Sequence, residues 1–322
     1  MRAVQLVASV GLTGIRISDI PEPEHVDDLV VVDLYAAGVS YPDLLQCTGS
    51  YQVVKPLPSI LGVEGAGTVR SAPERTGLSV GQRVAVLCFD GSWQQTVAVH
   101  PSMVFPLPDS VSIAAGAGFL MNYLTVHFAL DERAHSHEGE SILVHGAAGG
   151  VGTAALQVAS ALGLETCAVV SSEDKALVAK ANGARHIVLA DGFKDEVRKL
   201  TGDRGVDIVL DPVGGDRFTD SSRSLATNGR AVVLGFAAGD IPTVKVNRLL
   251  LRNISVVGAG WAEYVREHPD YLARQWEKLQ PLLASGAMQV PEPTVYAIDD
   301  AVEALASIED RRATGKVALN LR

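Results

Sequence analysis

The stretch SILVHGAAGGVGTAALQVASALG, Ser141–Gly163, sets an apolar run before a cluster of small residues and a helical pattern after it. It reads as a strand, a tight turn, and a helix from Val151 to Leu162 that Gly163 ends. Such a turn points several backbone N–H groups at one spot. The helix dipole adds partial positive charge there, so the place suits an anion. In the dinucleotide fingerprint G-x-G-x-x-G, the first glycine makes the turn and the second lets a pyrophosphate approach. The third lets helix and strand pack closely. Here those positions hold Ala147, Gly149 and Gly152, so the first glycine is missing. The candidate phosphate-binding residues are Ala148, Gly149, Gly150, Val151 and Gly152. Close packing without a ligand is the alternative, and the context decides against it: βα units follow the turn.

Those units run outward from Ser141. ETCAVVSS, HIVLA, GVDIVLDPVGG, GRAVVLGF and NISVVGAG are continuous apolar strands separated by helical segments. Strands apolar on both faces, alternating with helices, imply a parallel sheet covered on both sides, and the crossover rule makes it doubly wound. Residues 1–110 differ. RAVQLV, GIRISDI, DDLVVVDLYAAGV, VGQRVAVLCF and WQQTVAVH are strands punctuated by Gly, Pro and Asp. The tail returns to a mixed style, with helical YLARQWEKLQPLLASGAM and DDAVEALASIED and a strand at KVALNL. The expected organisation is an α/β Rossmann domain, residues 118–260, inserted in a β-rich domain made of residues 1–117 and 261–322.

The totals fit this plan. The chain has 322 residues, enough for two domains, with 47% hydrophobic and 20% charged residues. A net charge of −10 argues against nucleic acid as a partner. No apolar stretch is long enough for a membrane span, and the first residues carry no signal-peptide pattern, so a cytoplasmic protein is expected. Cys47, Cys88 and Cys167 form no CxxC pair and are expected as buried free thiols. His135 and His137 fall in a polar loop.

The cofactor is read from the second strand of the α/β unit. An NAD site carries an acidic residue about 20 residues after the glycines. Here the strand ends in Ser171 and Ser172, with Lys175 beyond. Two hydroxyls and an ammonium match a 2′-phosphate through charge-assisted hydrogen bonds, so NADPH is expected. A serine helix cap with a solvated lysine is the plainer alternative, and an inward Glu173 would favour NAD.

GAAGGVG, GVDIVLDPVGG, GVSYPDLLQCTGSY and ILGVEGAGTV, in this order, resemble the medium-chain dehydrogenase/reductase superfamily. Within it the chain is similar to zinc-free quinone oxidoreductases of the zeta-crystallin type, in which an alanine at the first fingerprint position is usual. The resemblance implies a GroES-like fold for the β-rich domain. Zinc-dependent relatives carry a cysteine ligand in G-x-C-x-x-D and a histidine ligand in G-H-E. This chain has Ser40 in Gly38–Asp43 and Val63 in Gly62–Glu64, so a tetrahedral N/S site is incomplete.

The resemblance also implies site residues. Ser40, Asp43 and Tyr51 stand where relatives carry the Asn, Asp and Tyr of N-x-x-D…G-x-Y. Tyr51 is the candidate donor to an acceptor carbonyl, with packing beneath a loop as its alternative. Asp43 reads as a helix cap rather than an acid. Asn122 and Thr125, three apart on one helix, would lie beside the cofactor. Leu234, Gly235, Phe236 and Ala237 follow a strand end and would flank the nicotinamide. Lys316 matches a basic residue near the cofactor, a solvated lysine being the alternative. Leu189 replaces a tyrosine of some relatives.

The implied activity is NADPH-dependent reduction of a small electron-poor acceptor, a quinone first. Enones, alkenals or enoyl thioesters are the second reading, and a non-catalytic NADPH-binding protein the third. A homodimer joined through NISVVGAG is the expected assembly.

Overall fold

The computed structural model describes residues 1–23, 26–89 and 91–322. The chain forms two compact units: Met1–Met121 with Leu272–Ala284 and Gln289–Arg322, and Asn122–Tyr271 with Ser285–Met288. The chain thus enters the second unit at Asn122, leaves it at Tyr271 and returns to it over Ser285–Met288. Aromatic packing accounts for the crossing at Tyr271: Tyr264 and Tyr271 lie edge to face, and both rings meet Phe128.

The first unit is β-rich. Val30–Val39 is its central strand, buried along nearly all its length and paired antiparallel with Glu64–Ser71, Thr96–Val99 and Val317–Asn320. Arg83–Leu87 and Val104–Pro106 extend the sheet on one side, and Thr294–Ala297 on the other. A second sheet orders Ile15–Asp19, Arg2–Leu6 and Ser59–Ile60. Val32, Leu34, Val84, Val86, Leu61 and Trp93 fill the core between strands. Trp93 is fully buried, and its Nε1–H donates to Gly38 O at 2.9 Å, so its one polar atom is satisfied.

The second unit holds a six-stranded parallel sheet. Across it run His186–Leu189, Glu165–Val170, Ser141–Val144, Val206–Asp211, Leu225–Val233 and Ser255–Gly258. Numbered along the chain, the order is 3-2-1-4-5-6, the doubly wound arrangement that reverses beside the first strand. The fold class expected from sequence is the one observed: a Rossmann unit inserted in a β-rich unit.

Local differences have local causes. The helix that carries Asn122 and Thr125 is α-helical over Leu120–His127, and Phe128–Arg133 continues as a wider π turn. The strand read as GRAVVLGF begins earlier, at Leu225, with a register shift against Val206–Ile208. Leu234–Phe236 therefore lie beyond its end. Two short helices were absent from the sequence reading: Ile113–Ala117, capped by Ser112, and Asn247–Arg252. Cys47, Cys88 and Cys167 are buried thiols, and the Cys88 thiol donates to Gly91 O at 3.3 Å. No helix among the described residues is long and apolar enough to cross a membrane.

Candidate active site

In the second unit, the strand Ser141–Val144 runs into a turn and then the helix Gly150–Ala161. Gly146 takes the left-handed conformation, with φ of +59°. The chain reversal expected of the missing first glycine is thus made one residue earlier, and Ala147 fits, fully buried. At Gly152 a Cβ would lie 2.2 Å from Gly146 O and 2.5 Å from Ala147 Cα, so only glycine allows this approach of helix to turn. Gly149 precedes the helix without a side-chain cap. A glycine there offers no side chain to the first N–H groups of the helix, the groups that suit an anion. This is the polarity and geometry a pyrophosphate requires, so the residues present fit a dinucleotide.

Neighbouring loops brace the turn. Asp211, at the end of the next strand, accepts from Val213 N at 2.8 Å and Gly214 N at 2.9 Å. Ala237 N donates to Pro212 O at 3.1 Å, and Leu234 N to Asp211 O at 2.9 Å. Leu234, Gly235, Phe236 and Ala237 are thereby tied to the Asp211–Gly214 loop, whose Val213 faces Gly146. Phe236 projects outward, 37% exposed. His145, just before the turn, is buried with Nε2 2.8 Å from Ser221 Oγ and its ring edge-on to Phe193. Burial holds its imidazole below the usual histidine range. Ser221 Oγ donates to Arg217 O at 3.0 Å and is fully buried, so this pair is packing and not a nucleophile.

Ser171 and Ser172 are exposed at the end of Glu165–Val170. Ser172 caps the helix Glu173–Ala181, its Oγ accepting from Lys175 N at a long 3.5 Å. Lys175 is half-buried, and Leu189, 44% exposed, ends the adjacent strand beside Val170. Asn122 is buried and Thr125 half-buried on the helix Leu120–His127. Between them Tyr123 donates to Gln157 Oε1 at 3.0 Å, anchoring that helix to Gly150–Ala161.

The first unit carries a separate polar cluster. Asp43 lies in the first turn of the helix Tyr41–Cys47 and accepts from Ser40 N at 2.8 Å and from Gly62 N at 3.0 Å. It is a cap, as its position in the sequence implied. Burial pushes its carboxyl up to about 6, against the pull of those N–H groups and of Lys316. Lys316 is 9% exposed, which rules out the solvated alternative. Its Nζ lies 2.7 Å from Ser40 Oγ and 2.7 Å from Glu64 Oε1. Glu64 is fully buried, and its Oε2 also accepts from Met121 N at 2.9 Å.

The structure thus joins Ser40, Asp43 and Lys316, and adds Glu64, which sequence reasoning had treated only as the neighbour of Val63. A lone acid inside the apolar run ILGVEGAGTV was the available signal, because a buried carboxylate needs a partner. Tyr51 lies just beyond the helix Tyr41–Cys47, its N–H donating to Leu45 O at 3.2 Å. It lines a small pocket with Leu6, Gln46, Val53, Val54 and Leu57. Among the described residues, no three His, Cys, Asp or Glu side chains are grouped to hold a metal ion.

Comparison with known proteins places the chain in a family. Residues 26–127 match the alcohol dehydrogenase GroES-like domain, and residues 150–285 the zinc-binding dehydrogenase domain. Quinone oxidoreductase-like protein 2 of Bos taurus is 34% identical over 298 residues, covering 91% of this chain and 85% of that protein. A probable oxidoreductase from Mycobacterium abscessus superposes with a TM-score of 0.89 at 39% identity, over 99% of this chain and 98% of the other. The quinone oxidoreductase of Thermus thermophilus, also solved with NADPH, gives a TM-score of 0.84 at 32% identity over the whole of both chains. With a serine and a valine where zinc-dependent relatives place metal ligands, the chain belongs to the zinc-independent, zeta-crystallin-like quinone oxidoreductases of the medium-chain dehydrogenase/reductase superfamily.

Proposed function

We propose that this protein reduces quinones by hydride transfer from NADPH, without a metal ion. The observation that carries the reading is the uncapped start of the helix Gly150–Ala161, packed on its strand through Gly152. Ala148, Gly149, Gly150, Val151 and Gly152 would hold the pyrophosphate through backbone N–H groups. Ser171, Ser172 and Lys175 would hold the 2′-phosphate, and Asn122, Thr125 and Leu234–Ala237 the nicotinamide end. NADPH, when bound, supplies the hydride. Ser40, Tyr51 and Lys316 belong to the acceptor side, and Asp43 fixes the backbone that presents Ser40. The chain's own task is to orient the acceptor and exclude water, the part a protein plays when a cofactor carries the chemistry.

Initial rates with NADPH and a panel of acceptors test this. A naphthoquinone and an ortho-quinone should turn over faster than an alkenal or an enoyl-CoA. Faster enone reduction would transfer the assignment to the C=C reductases. Tight NADPH binding without turnover would leave a binding protein. For the cofactor, Lys175→Ala is expected to raise KM for NADPH about 10-fold or more, the worth of one charge-assisted bond, and to leave KM for NADH unchanged. An equal rise for both would remove Lys175 from the phosphate site.

The reading includes a cytoplasmic homodimer. Ser255–Gly258 is the last strand of its sheet, and in the segment that precedes it in the chain Ile241, Val246, Leu250 and Leu251 are 74% to 78% exposed. An unpaired strand edge preceded by exposed apolar side chains suits pairing with a second copy. Leu251→Asp is expected to shift the sedimenting species from dimer to monomer; an unchanged dimer would locate the interface elsewhere.

A further inference from the structure

We propose that Lys316 is a positioning residue, which forces the Ser40 hydroxyl to act as a hydrogen-bond donor to the oxygen of the acceptor. The proposal rests on the quinone reductase reading and goes beyond it by naming how the acceptor is polarised.

The strand register makes the pairing. Val317 stands opposite Val39, so the residues just outside that pair, Lys316 and Ser40, meet although 276 positions apart. An ammonium has donors and no lone pair. Across the 2.7 Å contact, Nζ must therefore donate and Ser40 Oγ accept. The serine's single proton is left to point away from Lys316. A hydroxyl that already accepts from a cation is a stronger donor in turn. Such a donor, held in a buried site, stabilises negative charge that develops on a carbonyl or quinone oxygen as hydride arrives.

The ion pair is built at structural cost. Ser40, Glu64 and Lys316 are all at least nine-tenths buried. Two glycines make room for the pair. A Cβ on Gly38 would meet Ala117 O at 2.5 Å and then both Cγ and Oε1 of Glu64 at 2.8 Å, and a Cβ on Gly118 would lie 2.4 Å from Lys316 Cγ. Buried ion pairs are weak sources of stability compared with apolar packing. Two spaces cleared around one pair point to its orienting task. Glu64 then has a defined part: it fixes the ammonium against Ser40, and Met121 N holds its other oxygen.

The test uses the full-length enzyme and three variants: Ser40→Ala, the pair Glu64→Gln with Lys316→Met, and all three together. Removing both charges at once leaves no ion buried alone. The paired variant should lose about 10- to 100-fold in kcat, less than the loss of a direct oxyanion donor. NADPH Kd, read by cofactor fluorescence, should stay within about twofold. The triple variant should be no slower than Ser40→Ala, because Lys316 works only through Ser40. The loss should be larger for an enone, which needs its carbonyl polarised, than for an ortho-quinone.

Additive losses, equal losses for both acceptors, or a raised NADPH Kd with unchanged kcat would each overturn the assignment. The last would make Lys316 a cofactor residue. If the paired variant does not fold, Gly118→Ala serves instead. The φ of −112° there suits alanine, and the added methyl displaces the Lys316 stem. It should lower kcat several-fold at unchanged NADPH Kd, and a full kcat would overturn the proposal. A wild type that turns over while the paired variant keeps full kcat defeats this inference alone. A wild type that reduces nothing on the panel defeats the proposed function, and this inference with it.

Discussion

Gly152→Val is expected to abolish NADPH binding and to lower stability by about 3 kcal/mol or more, at the upper end of the usual cost of overpacking. The reason is that the atoms a Cβ would strike are backbone: Gly146 O at 2.2 Å, then Ala147 Cα and C at 2.5 and 2.7 Å. No rotamer change relieves such a clash. Either the turn or the first turn of the helix must move, and both present the N–H groups meant for phosphate. Gly149→Ala separates the two consequences. The nearest atom to a Cβ there is Gly146 O at 3.4 Å, an ordinary contact, and its φ of −87° suits alanine. That variant should melt like wild type and still bind NADPH at least 10-fold more weakly, because its methyl stands where the pyrophosphate must come close. Differential scanning fluorimetry with and without NADPH reads both effects. If Gly152→Val binds as well as wild type, this turn is not the cofactor site.

Asp43→Ala should destabilise the protein by about 2–6 kcal/mol, since it strands two buried N–H donors, at Ser40 and Gly62, at about 1–3 kcal/mol each. The same carboxyl predicts a pH dependence. Burial raises it from the ordinary 3.8 to about 6. Between those values the folded state holds a proton that the unfolded state has released. Stability from this group is therefore greatest below about pH 4, falls as pH rises, and levels off above about pH 6.5. The change amounts to about 3 kcal/mol. Asp43→Asn has no such titration. The advantage of wild type over Asp43→Asn in urea melts should shrink from pH 4.5 to 6.5 and then stay level. A constant difference would show that Asp43 is ionised in the fold throughout.

The residues differ in how plainly the sequence announces them. Apolar runs such as SILV, ETCAVV and VDIVLD specify strands buried on both faces, and their alternation with helices leaves one handed way to pack. Gly149, Gly152, Ser172 and Asp43 were legible because turns and caps are local, although the second partner of Asp43, Gly62 N, lies 19 positions away. Gly146 was harder to see, since the fingerprint assigns the reversal to the next residue and only the φ angles show where it falls. Glu64 was missed for a physical reason. Nothing in VEGAG says which distant cation neutralises it. Lys316 was read as a residue near the cofactor or as a solvated one, and its burial beside Ser40 depends on the pairing of Val317–Asn320 with Val30–Val39.

Sequence alone determined the layer architecture and the glycine turn between strand and helix, because period and turn chemistry act over short range, and the family resemblance gave the meaning of Ser40 and Val63. Tertiary structure decided the Ser40–Lys316–Glu64 arrangement and the two glycines that make room for it. Those contacts join residues hundreds of positions apart, and strand register and burial set them, which no local pattern encodes.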